Sequence, residues 1–394
     1  MDAASLLEPA ARRYSDFVDS LRDLVNIDSG SYTPEGVNEI ADACEERFRA
    51  GGWKVERTPH APAPGGAQLG DLLIGRLDGA GGPRVLLIGH MDTVFDAGTA
   101  RERPFRIDGS VARGPGVSDM KGGLLLGFHA VELLREVGFD AFQTITYVCN
   151  PDEEIGSPYS REAILRLAAD ADTALVLEGG RENGDFVSAR KGVTDITVDI
   201  AGRAAHAGVE PEKGHSAILE AAHKTIALQE LNGRWPDVTV NVGVIRGGTR
   251  PNVVPEHAAL QIDVRASAEN DLAAAEDQIR SICASPVVPG TDVRLTEHGW
   301  HRPMEKTPRT AALARLATDV ASELGFELRD AATGGASDAN TTSAAGVPTI
   351  DGLGPVGGDD HAPGEWIDLT TVVPRMALLA GVIARAGSLA EDRS

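Results

Sequence analysis

Three short apolar runs, Val85 to Gly89, Thr144 to Cys149 and Thr173 to Leu177, narrow the folds open to this chain more than anything else in it. Each has the length and residue types of a buried strand. Helical stretches separate them. Gly122 to Val137 carries apolar residues at helical spacing, and a second helix is expected from Ser157 or Pro158 to about Leu167. Strands alternating with helices predict a parallel sheet covered by helices, a doubly wound α/β domain. In open α/β sheets, ligands bind beyond the carboxyl ends of the strands.

All three runs end in side chains able to hold a metal. The first runs into His90-Met91-Asp92, the second into Asp152-Glu153-Glu154, and the third into Glu178. Asp119 sits in GPGVSDMKGG just before a helix, and His361 in GGDDHAPGEW. Each alone has a plainer reading. A lone histidine after a strand is usually a hydrogen-bonded structural residue, an aspartate in a glycine-rich turn is usually turn chemistry, and acids opening a helix complement its dipole. Five such residues at one sheet edge point instead to a metal. Imidazole and carboxylate without thiolate suit hydrolytic zinc, and one aspartate shared by two ions about 3.5–4 Å apart is a recurring device in aminopeptidase-type sites.

After Val187 the texture changes. Thr194 to Ala201, Val238 to Ile245 and Ala259 to Arg265 alternate apolar and polar residues, Gly214 to Leu231 and Asn270 to Cys283 read as helices, and Val293 to Glu297 as a last strand. That order predicts a ferredoxin-like α+β insert. Doubly wound texture returns with helices at Thr310 to Leu324 and Val373 to Ala386. The expected division is therefore a discontinuous catalytic domain, residues 1–187 and 301–394, around an inserted lid or dimerisation domain, residues 188–300.

The 394 residues suffice for two cored domains, and the net charge of −22 argues against a nucleic-acid or anionic-membrane partner. Three scattered cysteines, Cys44, Cys149 and Cys283, form no disulfide framework and fit a reducing compartment. With no signal-peptide core and no membrane-length apolar run, a cytoplasmic location is expected. The last five residues, AEDRS, are expected to fray.

Taken in chain order, HMDTV, GVSDMKGG, NPDEEIGS, GRAAHAG, RPNVVP, GGASDAN and HAPGEW resemble the M20 metallopeptidases, a family that includes glutamate carboxypeptidases, acetylornithine deacetylases and aminoacylases. The resemblance implies two zinc ions per subunit, with cobalt or manganese able to use the same ligands. His90, Asp119 and Glu178 would hold one, and Asp119, Glu154 and His361 the other, with Asp119 bridging. Asp92 would orient the His90 imidazole. Glu153 would be the general base for a water that the cations acidify. Extended backbone would turn the adjacent glutamates to opposite sides. The resemblance also implies a non-proline cis bond between Asp119 and Met120. His206 would stabilise the oxyanion from a partner subunit, which implies a homodimer. Asn252, Arg265 and the loop around Gly335 would contact the substrate carboxylate.

The expected reaction is amide hydrolysis releasing a free C-terminal amino acid from a peptide or N-acyl amino acid, in the manner of a glutamate carboxypeptidase. An aminoacylase, an acetylornithine deacetylase or a dipeptidase is the alternative. A non-catalytic metal-binding relative is remote because every ligand position and Glu153 are filled. A serine α/β-hydrolase has no support, since no G-x-S-x-G follows a strand.

Overall fold

The computed structural model describes residues 1–391, with only the main chain described at 299, 300, 390 and 391. The last three residues of the tail expected to fray lie outside the described residues. The chain forms two compact units. One comprises Met1–Ala189, Lys306–Ala332 and the chain from Ser337 onward, and the other Arg190–Glu305 with Thr333–Ala336.

The first unit is built on a six-stranded sheet in the order Lys54–Thr58, Leu72–Asp78, Thr144–Asn150, Arg84–His90, Thr173–Val176, Thr349–Ile350. The last four run parallel. Leu72–Asp78 runs antiparallel to both its neighbours, Lys54–Thr58 and Thr144–Asn150. The sheet is therefore mixed rather than wholly parallel. Both its faces are covered. Neighbouring residues of a strand point to opposite sides, yet Val85, Leu86, Leu87 and Ile88 are all buried.

Tyr147 anchors one face. Its ring packs against Phe128, centroids 4.9 Å apart, and Phe128 lies 4.7 Å from Phe48. Its hydroxyl donates to the Leu124 carbonyl at 2.6 Å. The helix Gly122–Glu136 comes unusually close to the sheet because Gly123 has no side chain. A Cβ there would stand 1.7 Å from the Leu177 carbonyl oxygen. This contact sets the helix, and the Asp119 turn that leads into it, beside the strand end that carries Glu178.

A second, four-stranded sheet runs Gly357–Gly358, Trp366–Asp368, Val111–Arg113, Arg106–Asp108. Trp366 pairs with both Gly358 and Arg113. The hairpin bearing His361 and the chain leading to Asp119 therefore start from one ladder.

The other unit has the element order strand, helix, strand, strand, helix, strand. Its antiparallel sheet runs Thr239–Gly247, His257–Ala266, Gly192–Ala201, Asp292–His301. That is the split βαβ arrangement of ferredoxin-like folds. Inward residues such as Val198, Leu260 and Val264 pack against Leu272 and Ile279 of the helix Glu269–Cys283. Among the described residues, no helix is long and apolar enough to cross a membrane.

Candidate metal centre

Strand register assembles the site. In the parallel pairing His90 stands opposite Asn150, and Ile88 opposite Val176. The chain segments carrying Asp92, Glu153, Glu154 and Glu178 therefore leave one edge of the sheet side by side. The Glu153–Ile155 segment is a 3₁₀ turn, not extended backbone. The expectation that extended geometry separates the two glutamates is corrected: a three-residue-per-turn helix rotates them apart instead.

His90 Nε2 lies 2.9 Å from Asp119 Oδ1 and 3.7 Å from Glu178 Oε1. His361 Nε2 lies 3.0 Å from the other Asp119 oxygen, Oδ2, and 3.2 Å from Glu154 Oε2. Asp119 thus offers one oxygen to each histidine. Ligand atoms of His90, Asp119 and Glu154 lie within 4.8 Å of one another, and so do those of His90, Glu153 and Glu178. The Asp119–Met120 peptide is cis.

Asp92 does more than the sequence suggested. His90 Nδ1 is 2.9 Å from the Asp92 main-chain carbonyl and 3.4 Å from its carboxylate. The carboxylate itself accepts from Ser31 Oγ at 2.7 Å and from the N–H groups of Glu153 and Glu154, both at 3.1 Å. It holds the glutamate turn as well as the imidazole.

Asp338 is a second buried carboxylate that sequence reasoning placed differently, in a glycine-rich anion-binding loop. It accepts from Asn150 Nδ2 at 2.5 Å and from Ser157 Oγ at 2.6 Å. It therefore ties together both ends of the turn that carries Glu153 and Glu154. Ser337 beside it caps the helix Asp338–Ala344 in a capping box with Asn340.

The electrostatics fit cations. Burial pushes Glu178 up to about 8 and raises Glu153 and Glu154 as well. Burial opposes charge on His90, but Glu178 and the aspartates beside it hold its pKa well above the ordinary value. Hydrogen bonds to Asp119 and Glu154 lift His361 to about 10. A cluster of carboxylates in an apolar setting calls for positive charge. Glu154 Oε1 is buried without a hydrogen-bond partner, a vacancy in bonding that a cation would fill. Metal binding would displace protons from its ligands.

The remaining expected residues belong to the other unit. The segment around His206 pairs with the segment around Asn252: Ala207 N donates to the Asn252 carbonyl at 3.1 Å, and His206 and Val253 form an antiparallel bridge. His206 is exposed, and its Nδ1 accepts from Gly208 N at 3.1 Å. Arg265 is paired with Asp263 at 3.0 Å and donates to the Gly334 carbonyl at 2.9 Å. The Gly335 carbonyl accepts from Arg190 at 3.0 Å.

A doubly covered α/β sheet with imidazole and carboxylate donors gathered at one strand edge defines a metal-dependent hydrolase. Comparison with known proteins makes the class specific. The profile of peptidase family M20/M25/M40 matches residues 86–385. Carboxypeptidase G2 of Pseudomonas sp. (strain RS-16) is 30% identical over 386 residues, spanning 97% of this chain and 92% of that protein. The acetylornithine deacetylase of Myxococcus xanthus is 29% identical over 250 residues, 60% of this chain and 63% of that one. Among solved structures, aminopeptidase PepT from Bacillus cereus superposes with a TM-score of 0.77 at 24% identity, covering 95% of this chain and 98% of its own. The chain belongs to peptidase family M20. It is a metal-dependent hydrolase, and zinc is the metal that membership implies.

Proposed function

We propose that this enzyme cleaves an amide bond to release a free C-terminal amino acid, with a glutamate carboxypeptidase-like preference for an acidic residue. The observation that carries the proposal is the pair of overlapping ligand groups, His90 with Asp119 and Glu154, and His90 with Glu153 and Glu178. His90, Asp119 and Glu178 would hold one cation, and Asp119, Glu154 and His361 the other. Bound cations would polarise the scissile carbonyl and acidify a water. Glu153 takes the proton from that water and hands it to the leaving amine. Its surroundings favour this role, since burial and the nearby Glu178, Asp338 and Glu154 carboxylates raise its proton affinity.

His206 fits the role of oxyanion donor. Its Nδ1 is engaged as an acceptor, so the neutral ring carries its proton on Nε2. Asn252, Arg265 and Gly335 would meet the substrate carboxylate. The similarity to carboxypeptidase G2 along nearly the whole chain supports the carboxypeptidase reading. On a panel of N-acylglutamate, N-acetylornithine and simple dipeptides, N-acylglutamate is expected to turn over fastest and the activity to be lost with chelator. N-acetylornithine as the sole good substrate would instead make the enzyme a deacetylase.

A homodimer through the inserted unit is part of the proposal, and that unit would then act as the lid. Thr239–Gly247 is an edge strand. Ile245 on it is 54% exposed, and Ile218, Leu219 and Ile226 on the adjoining helix Ala217–Gln229 are 42%, 50% and 61% exposed. An unpaired edge beside an apolar helix face is what a second copy would cover. Ile226→Glu is expected to shift the protein from dimer to monomer in sedimentation velocity. An unchanged dimer would place the interface elsewhere. The three cysteines are unpaired and buried, which supports placing the enzyme in the cytoplasm.

A further inference from the structure

Glu365 is not in the ligand set, yet its side chain is buried against the ligand loops. Its two oxygens accept three main-chain hydrogen bonds. Oε2 accepts from Gly116 N at 2.8 Å, and Oε1 accepts from Ser118 N at 2.8 Å and Asp119 N at 3.0 Å. These amides line the turn that delivers Asp119. The turn leaves ordinary backbone at Gly116, where φ is +74°, and the helix that would absorb such N–H groups begins only at Gly122. A buried carboxyl group with two acceptor oxygens is what satisfies them.

Glu365 is equally tied to the other side of the site. It lies in the same hairpin as His361, with Glu365 N donating to the Ala362 carbonyl at 3.2 Å and Ala362 N to the Asp359 carbonyl at 3.0 Å. Asp359 and His361 both adopt positive φ, 56° and 62°, a conformation that side-chain-bearing residues hold only when their surroundings fix it. The next residue, Trp366, is locked in the ladder with Gly358 and Arg113. One carboxylate therefore grips the Asp119 turn while its own backbone carries the His361 turn.

We propose that Glu365 is a positioning residue that fixes the separation of Asp119 Oδ2 and His361 Nε2, and so sets the affinity for the cation these two would share. This rests on Asp119 and His361 being ligands. Supporting groups around metal ligands typically contribute 10–100-fold to metal affinity. A glutamine at this position keeps the volume but can accept through one atom only. Its amide nitrogen would face an N–H of the turn and repel it.

Zinc titration of the chelator-stripped full-length protein tests this, comparing wild type, Glu365→Gln and Asp119→Asn. In Glu365→Gln at least one of the two zinc-binding constants is expected to fall 10–100-fold. Wild-type affinity at both sites in that variant overturns the positioning role. Wild-type binding in Asp119→Asn overturns the ligand assignment beneath it. Amide hydrogen exchange on the unsubstituted protein gives a reading that does not depend on the variant folding. Gly116, Ser118 and Asp119 are expected to be protected already in the metal-free state. Free exchange that slows only on adding zinc would show that the cation, not Glu365, orders the turn.

Discussion

Glu153→Gln is expected to lower kcat by about 10²–10⁴-fold, the usual contribution of a general base, with cation content unchanged. The substitution is nearly isosteric. It leaves the Glu153 N–H on Asp92 Oδ1, so the turn keeps its seat. What it removes is a group able to take a proton. The experiment separates two roles that geometry alone leaves close together, because Glu153 lies within ligand range of His90 and Glu178. Elemental analysis beside steady-state kinetics distinguishes them. Lost turnover with the cation content retained identifies the base. Loss of a cation would make Glu153 a ligand and leave Glu154 as the group to test for proton transfer. Turnover near the wild-type rate would remove it from the chemistry.

The metal-capable residues were legible because burial on both faces forces a strand to be continuously apolar. A His, Asp or Glu at the end of such a run then stands out. Val85–Gly89 and Thr144–Cys149 read this way at once, and the inserted unit followed from clean alternation in strands such as Gly192–Ala201. The antiparallel edge of the main sheet was not legible. Lys54–Thr58 is KVERT, with no residue fully buried, and carries no apolar face to read. Thr349–Ile350 is only 2 residues long, too short for any pattern. The helix expected from Ser157 begins at Arg161. Ser157 looks like a cap, but it sits at a φ of 55° and its hydroxyl is spent on Asp338. Asp338 and Glu365 were hidden for a related reason. Asp338 reaches a residue 188 positions away, and Glu365 one 246 positions away. A buried carboxylate whose partners are that distant has no local signature. It reads as turn chemistry or a solvated acid until the fold supplies its donors.

Lys224→Met is expected to destabilise the inserted unit by about 3–5 kcal/mol, the typical result of removing one partner of a buried ion pair. Glu220 and Lys224 are one helical turn apart in Ala217–Gln229 and are both buried, with Lys224 Nζ at 2.9 Å from Glu220 Oε1. The ammonium also donates to the carbonyls of Ile282 and Ser285 at 2.7 and 2.6 Å, at the end of the second helix. The carboxylate accepts from Val287 N and Val288 N. The pair thus fastens one helix to the loop that follows the other, and methionine would fill the space while removing the ammonium's bonds to both carbonyls and leaving the carboxylate without its cation. Burial works against the charge on Glu220, but those N–H groups and Lys224 outweigh it and depress its pKa. A depressed carboxylate contributes stability above its unfolded pKa, about 4.3, and loses that contribution as pH falls through the folded value. The deficit of Lys224→Met against wild type should therefore be full near neutrality and shrink below about pH 4, as Glu220 protonates in both proteins. Urea melts at pH 7 and pH 3.5 test for this narrowing. A deficit that stays the same at the two pH values would mean that methionine costs stability through packing and the lost carbonyl contacts, with the Glu220 charge contributing nothing.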